Sequence, residues 1–138
     1  MSKRKRLLQE RYAPDPWPVL VVSMLLKMTQ GRQVEPLLDR FFKSFPNPED
    51  LLGVDEDKVR QVIKPLGLWR QRAGELRAIA RRLVEEGTPG SKEEAKEIHG
   101  VGEYVSNAYS IFVLGDRSVE PEDDSLKRYL AETSGGEG

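Results

Sequence analysis

The chain has 138 residues, of which 33% are charged and 38% hydrophobic, with a net charge of −1, one histidine and no cysteine. That length fits one domain with a modest core. The missing cysteine excludes disulfides, a thiolate nucleophile, cysteine-ligated zinc and iron–sulfur clusters, and the lone His99 cannot build a histidine metal site, so no metal and no cofactor are expected.

The basic arm over 1–6 leads into Leu7-Leu8-Gln9-Glu10 and not into an apolar run, so no secretory signal is expected. The apolar run over 19–26, with Ser23 inside it, is too short to cross a bilayer. Asp15-Pro16 reads as an N-cap with proline at the first helical position, opening a nearly all-apolar helix over 17–28 at the centre of the core, with Gly31 as its stop. A helix over 33–45 follows, carrying Val34, Leu37, Leu38, Phe41 and Phe42 at helical spacing, with Pro36 placed in its first turn. Asn47-Pro48 opens a short helix that Gly53 ends. Asp55 caps another that runs to Ile63 and is halted by Pro65 before the apolar loop Leu66-Gly67-Leu68.

From 69 to 86 the stripe Ala73, Leu76, Ile79/Ala80, Leu83/Val84 predicts a long amphipathic helix, broken by Thr88-Pro89-Gly90. Ser91 and Glu94 form a capping box for a short helix. Tyr104, Val105, Ala108, Ile111 and Phe112 mark the next helix, Gly115-Asp116 its end, and a last helix covers 123–132 before a loose tail over 134–138. No stretch alternates as a strand. The expectation is an all-α, compact single domain over 1–138.

Two segments carry chemistry. In Ile98-His99-Gly100-Val101-Gly102 the glycines can take positive φ and admit a ligand close to the backbone, and the amides that follow open a helix N-terminus. Gly100, Val101 and Gly102 would then form a helix-hairpin-helix grip on a DNA phosphate. The plain structural alternative is a glycine C-cap followed by a second helix with no ligand, and His99 reads as a turn residue. In Pro121-Glu122-Asp123-Asp124-Ser125-Leu126 the acids are natural helix caps. Register singles out Asp123: it shares a side with Leu126, Tyr129 and Leu130, at the edge of the core, where a carboxylate could stabilise a cation developing on a sugar.

On these residues the chain resembles the helix-hairpin-helix DNA glycosylase superfamily. Within it, the chain is similar to the glycosylase domain of the methyl-CpG-binding-domain-linked G:T mismatch glycosylases. The matching stretches are Leu8-Gln9-Glu10, Asp15-Pro16-Trp17, Leu26 through Thr29 to Gly31, Lys64 to Leu68, His99-Gly100 to Gly102, Tyr104, Ile111-Phe112, and Pro121-Glu122-Asp123 with Leu126 and Tyr129. His99 stands where most of the superfamily has proline. The resemblance implies an active-site cleft between two helical halves, with Asp123 supporting cleavage of the N-glycosidic bond. It also implies that Tyr104 stands where bifunctional members carry a Schiff-base lysine, so that the base leaves and the abasic site stays uncut. Gln9, with Leu8 beside it, corresponds to the reader of an extruded pyrimidine, and Leu68 to an apolar wedge. Met28 stands where the family has an arginine that fills the gap left by the flipped base, and the last helix is shorter than usual. Both departures bear on substrate range and affinity more than on reaction type.

Arg70 and Arg72, beside the wedge loop, are expected to contact phosphates, whereas Arg77 and Arg81 read as a solvated face. Trp17 and Trp69 read as packing residues. The expected partner is double-stranded DNA holding a mismatched or damaged base, bound by a monomer inside the cell, in a nucleus or a prokaryotic cytoplasm. Three alternatives stay open: a glycosylase for another base, a hairpin module that only binds DNA, and a helical protein–protein adaptor.

Overall fold

In the computed structural model, residues 6–27, 29–67 and 69–134 are described. Both wedge positions, Leu68 and Met28, lie outside them, as do 1–5 of the basic arm and 135–138 of the tail.

Helix α1 (Pro16–Leu26) buries every residue from Trp17 to Leu25, as an all-round apolar helix must. α2 (Gly31–Ser44), α5 (Trp69–Glu86) and α7 (Glu103–Phe112) pack directly on it; α3 (Pro48–Leu52) and α4 (Glu56–Ile63) pack on α5, and α6 (Lys92–Lys96) on α7. The last helix is α8 (Asp124–Ser134), and no strand occurs among the described residues. Asn47 caps α3 by accepting from the Asp50 amide at 2.9 Å, and Ser91 caps α6 by accepting from the Glu94 amide at 3.1 Å. The return bond of the expected capping box differs, because the Glu94 carboxylate accepts from the Gly90 amide and not from Ser91.

Two apolar cores result. The larger runs from Trp17 through Phe41, Leu51, Ile63 and Ile79 to Tyr109. The smaller comprises Val19, Ala108, Ile111, Phe112 and Leu126, with Leu7, Tyr129 and Leu130 against it. Tyr12, Tyr104 and Val113 touch both. Trp17 is a core residue whose indole N–H donates to the Phe45 carbonyl at 3.0 Å. Trp69 lies with the guanidinium groups of Arg60 and Arg70 at 5.1 and 5.2 Å from its ring.

Three local expectations are corrected. Gly31 opens α2 and does not close α1, because Gln30 takes the extended N-cap conformation (φ −70°, ψ 149°) and the chain turns there. Pro36 consequently falls in the second turn of α2; the carbonyl it leaves unbonded belongs to exposed Arg32, where water can replace the lost bond. On α5 the buried stripe stops at Ala80, leaving Leu83 half-buried and Val84 exposed.

Candidate active site and hairpin

Leu8–Arg11 forms a single 3-10 turn, closed by the Leu7 amide donating to the Glu10 carboxylate at 2.7 Å. The turn drives the Gln9 side chain inward until it is 1% exposed. Its Nε2 donates to the Tyr104 phenol oxygen at 2.8 Å and to Ser23 Oγ at 3.3 Å, while its Oε1 is buried without a hydrogen-bond partner. Ser23 is the single polar residue of α1 and was not singled out from the sequence. Its signal was there: a hydroxyl in an otherwise apolar helix needs a buried partner. Leu8 faces the other way, onto an open cleft of about 400 Å³ shared with Arg6, Gly31 and Glu35.

Tyr104 stands in the first turn of α7, at the seam of the two cores. Burial pushes its phenol up to about 12; the amide of Gln9 opposes this and the charge of Asp123 adds to it. The phenol is therefore neutral across the physiological range. Since its oxygen accepts from Gln9, its own proton is free to be donated.

Asp123 is half-buried and is the N-cap of α8. Oδ2 accepts from the Leu126 amide at 3.0 Å and its carbonyl from the Lys127 amide at 3.0 Å. The capping role is thus real, and with Leu126 fully buried it holds the carboxylate at the start of α8 in the folded protein. Oδ1 makes no protein hydrogen bond among the described residues. Gln9 and Tyr104 are in direct contact, and Asp123 lies within electrostatic reach of the phenol.

The hairpin joins α6 to α7. Ile98 and Val101 are buried, and the Val101 amide donates to the Ile98 carbonyl at 3.0 Å, closing the turn. Gly100 takes a φ of +88°. Gly102 does not share this conformation: at φ −102° it is ordinary extended backbone, so only the first of the two glycines uses the positive φ open to both. As N-cap of α7 it has no side chain to cap the first-turn amides of Glu103, Tyr104 and Val105, which leaves a helix N-terminus open to an anion. His99 is exposed in the turn.

Glu103 modifies this end. Its carboxylate accepts from Lys92 at 3.0 Å and from Lys96, and these bonds hold it below the usual carboxylate range. The two arginines by the wedge loop differ. Arg70 is exposed, with its guanidinium over the Trp69 ring. Arg72 is 3% exposed and donates to the Leu25 carbonyl at 3.4 Å, so the expected phosphate contact from Arg72 is corrected: it ties α5 to the end of α1. Arg77 likewise donates to a carbonyl, that of Val54, at 3.1 Å.

The chain resembles known proteins in both sequence and fold. It is 39% identical over 114 residues to the thymine-DNA glycosylase of Aeropyrum pernix, covering 80% of this chain and 50% of that protein. It is 36% identical over 125 residues to the methyl-CpG-binding domain protein 4-like protein of Arabidopsis thaliana, covering 89% and 27%. It thus spans half or less of the length of these two relatives. A structure of a thermostable thymine-DNA glycosylase matches with a TM-score of 0.77 at 27% identity, over 86% of this chain and 55% of that one. The family model for the HhH-GPD superfamily base excision DNA repair protein matches residues 21–133, a stretch that takes in the hairpin, Tyr104 and Asp123. With most of the chain inside that match, it belongs to the HhH-GPD superfamily of base excision DNA repair proteins.

Proposed function

We propose that this chain is a monofunctional DNA glycosylase domain that removes thymine or uracil from G:T and G:U mismatches and leaves an abasic site. The observation that carries this reading is the buried Gln9–Tyr104 hydrogen bond at 2.8 Å with the Asp123 carboxylate beside it, at the helix that the hairpin opens. The relatives named thymine-DNA glycosylase support the choice of base.

The target nucleotide first leaves the stack, at a cost of a few kcal/mol that is smallest at a mismatch. The first-turn amides of α7 hold a backbone phosphate, and Arg70 adds a second contact. The Gln9 amide meets the polar edge of the extruded pyrimidine. The glycosidic C–N bond then breaks with its electron pair going to the base. Asp123 stabilises the positive charge left on the sugar, and water adds at the same carbon, giving its proton to the free Oδ1. Tyr104 is a neutral phenol and cannot form a Schiff base, so no strand cut follows. The domain would work as a monomer on duplex DNA inside the cell.

The test is single-turnover base release from duplexes carrying G:T, G:U, A:U and G:C, with Asp123→Asn alongside and half of each sample treated with alkali. Product that appears only after alkali, is strongest at G:T or G:U and is absent in the variant is the expected result. A second reading is favoured by the capping bond of Asp123, which gives that carboxylate a purely structural job: a module that only binds DNA. Binding with every duplex left intact would establish that reading instead.

A further inference from the structure

Apolar contacts are not all that holds the hairpin to the body of the protein. Lys27 follows α1 directly, and its Nζ donates to Glu75 Oε2 at 3.1 Å and to the Gly100 carbonyl at 3.0 Å. Glu75 lies in α5 with its side chain 4% exposed. One ammonium group therefore joins the end of α1, the middle of α5 and the turn of the hairpin.

The fit at Gly100 is tight for a reason separate from its φ of +88°. A Cβ there would stand 2.6–2.7 Å from Glu75 Cγ, Cδ and Oε2, so the carboxyl group lies flat against the turn. Gln71 Nε2 reaches the same Oε2 only at 3.4 Å, and Glu75 Oε1 is buried with no partner at all. A buried ion pair with an unmatched oxygen is a poor way to gain stability, since well-packed apolar residues serve at least as well. What it supplies is direction: two hydrogen bonds fix Nζ, and Nζ fixes one backbone oxygen of the turn. Three residues beyond that oxygen, at Glu103, begin the open amides of α7, and on the same turn of helix stands Tyr104.

We infer that Lys27 and Glu75 are positioning residues that hold the hairpin backbone in place, so that the amides receiving a DNA phosphate and the phenol of Tyr104 keep a constant separation from the Gln9–Ser23 pair on the body of the protein. This deepens the DNA reading above and rests on it. Neither residue touches DNA; both act through Gly100.

Lys27→Met alone leaves a buried carboxylate unpaired and destabilises the whole protein, so the informative variant is Lys27→Met combined with Glu75→Leu, which removes both charges. Two measurements are made on it: hydrogen exchange of the 102–105 amides in the free protein, and affinity for a duplex carrying an abasic-site analogue across a salt series. A positioning pair predicts a melting temperature close to that of the parent, with amide exchange about tenfold faster and affinity about tenfold weaker. The salt slope stays unchanged, because no phosphate contact is lost. Exchange and affinity equal to the parent's, or altered only in proportion to a lowered melting temperature, would reduce the pair to a structural contact and overturn the inference. A salt slope lower by roughly one unit would overturn it too, by making Lys27 a phosphate ligand. Should the double variant fail to fold, Glu75→Gln keeps the side-chain shape, and unchanged exchange of the same amides in that variant would be equally fatal. A parent protein that binds no duplex sinks the DNA reading, while amide exchange still decides whether the pair fixes the hairpin.

Discussion

The first turn of α7 has two sides, and they are built on opposite principles. On one side Tyr104, Gln9 and Ser23 meet as neutral, buried groups brought from positions 9, 23 and 104, and each hydrogen bond spans a long stretch of chain. On the other side the ion pairs of the hairpin are local, with Glu103 between Lys92 and Lys96 on a surface mostly open to water. The buried side can discriminate, because leaving any of its groups unpaired is expensive; the open side can attract, because solvent-exposed charge acts at a distance and with little penalty. Substitutions should therefore change chemistry and stability on the first side and affinity and salt dependence on the second.

The largest effect tests that division directly. Asp123→Asn keeps a good N-cap for α8 and should leave the melting temperature nearly unchanged, yet base release should fall by about 10²–10³-fold in single-turnover assays. A variant that loses stability and activity in proportion would show that Asp123 acts as a cap alone.

Next come the two glycines, which the sequence treats as equals. Gly100→Ala has to accept both a φ of +88° and a contact of 2.6 Å with Glu75, and should cost about 2 kcal/mol or more in urea unfolding. Gly102→Ala meets nothing within 4 Å and should cost about 0.5 kcal/mol, so its effect should appear in DNA affinity and not in folding.

Tyr104→Phe removes the oxygen that Gln9 donates to and should cost about 1–3 kcal/mol. It also carries a pH signature. The phenol titrates near 12 in the folded protein and near 10 when unfolded, so the folded state holds the extra proton between these values. Stability from this group is complete below about pH 10 and is lost as pH rises towards 12. In the Phe variant, denaturation across that window should be less steep, and the most alkaline step of the tyrosine absorbance titration should vanish.

The smallest effect belongs to Glu103→Gln. It frees Lys92 and Lys96 and removes a negative charge beside the open amides, so duplex affinity should rise and its salt slope steepen by roughly one unit. An unchanged slope would mean that those lysines do not reach the backbone of DNA.

Much of this architecture is legible in the residues, and the exceptions have physical causes. Asn47 and Ser91 announce their helices because a capping side chain acts within its own turn. The span of α5 follows from its stripe. Gly31 misleads because glycine serves at either end of a helix, and only the conformation of Gln30 decides which. Arg72 misleads because periodicity assigns charge to solvent, while a long side chain beside the open end of α1 finds the Leu25 carbonyl instead. Asp123 and Tyr104 were identified through resemblance and register. The contacts of Gln9 with Tyr104 and Ser23, like the reach of Lys27 to Glu75 and Gly100, join residues far apart in the chain and leave no local pattern to read.

The two cores carry one last consequence. α8 buries a single residue, Leu126, in the smaller core, with the Tyr129 ring tilted 50° against Phe112 at 4.8 Å between centroids and Arg117 pinning the far end through Leu130 and Thr133. So small an anchorage makes α8 cheaper to detach than α1, α2, α5 or α7, each of which buries at least four residues. Detachment would carry Asp123 away from Tyr104 while the larger core stayed intact. Warming would then silence the domain before it melted, leaving a folded body that still holds its hairpin and has lost its carboxylate.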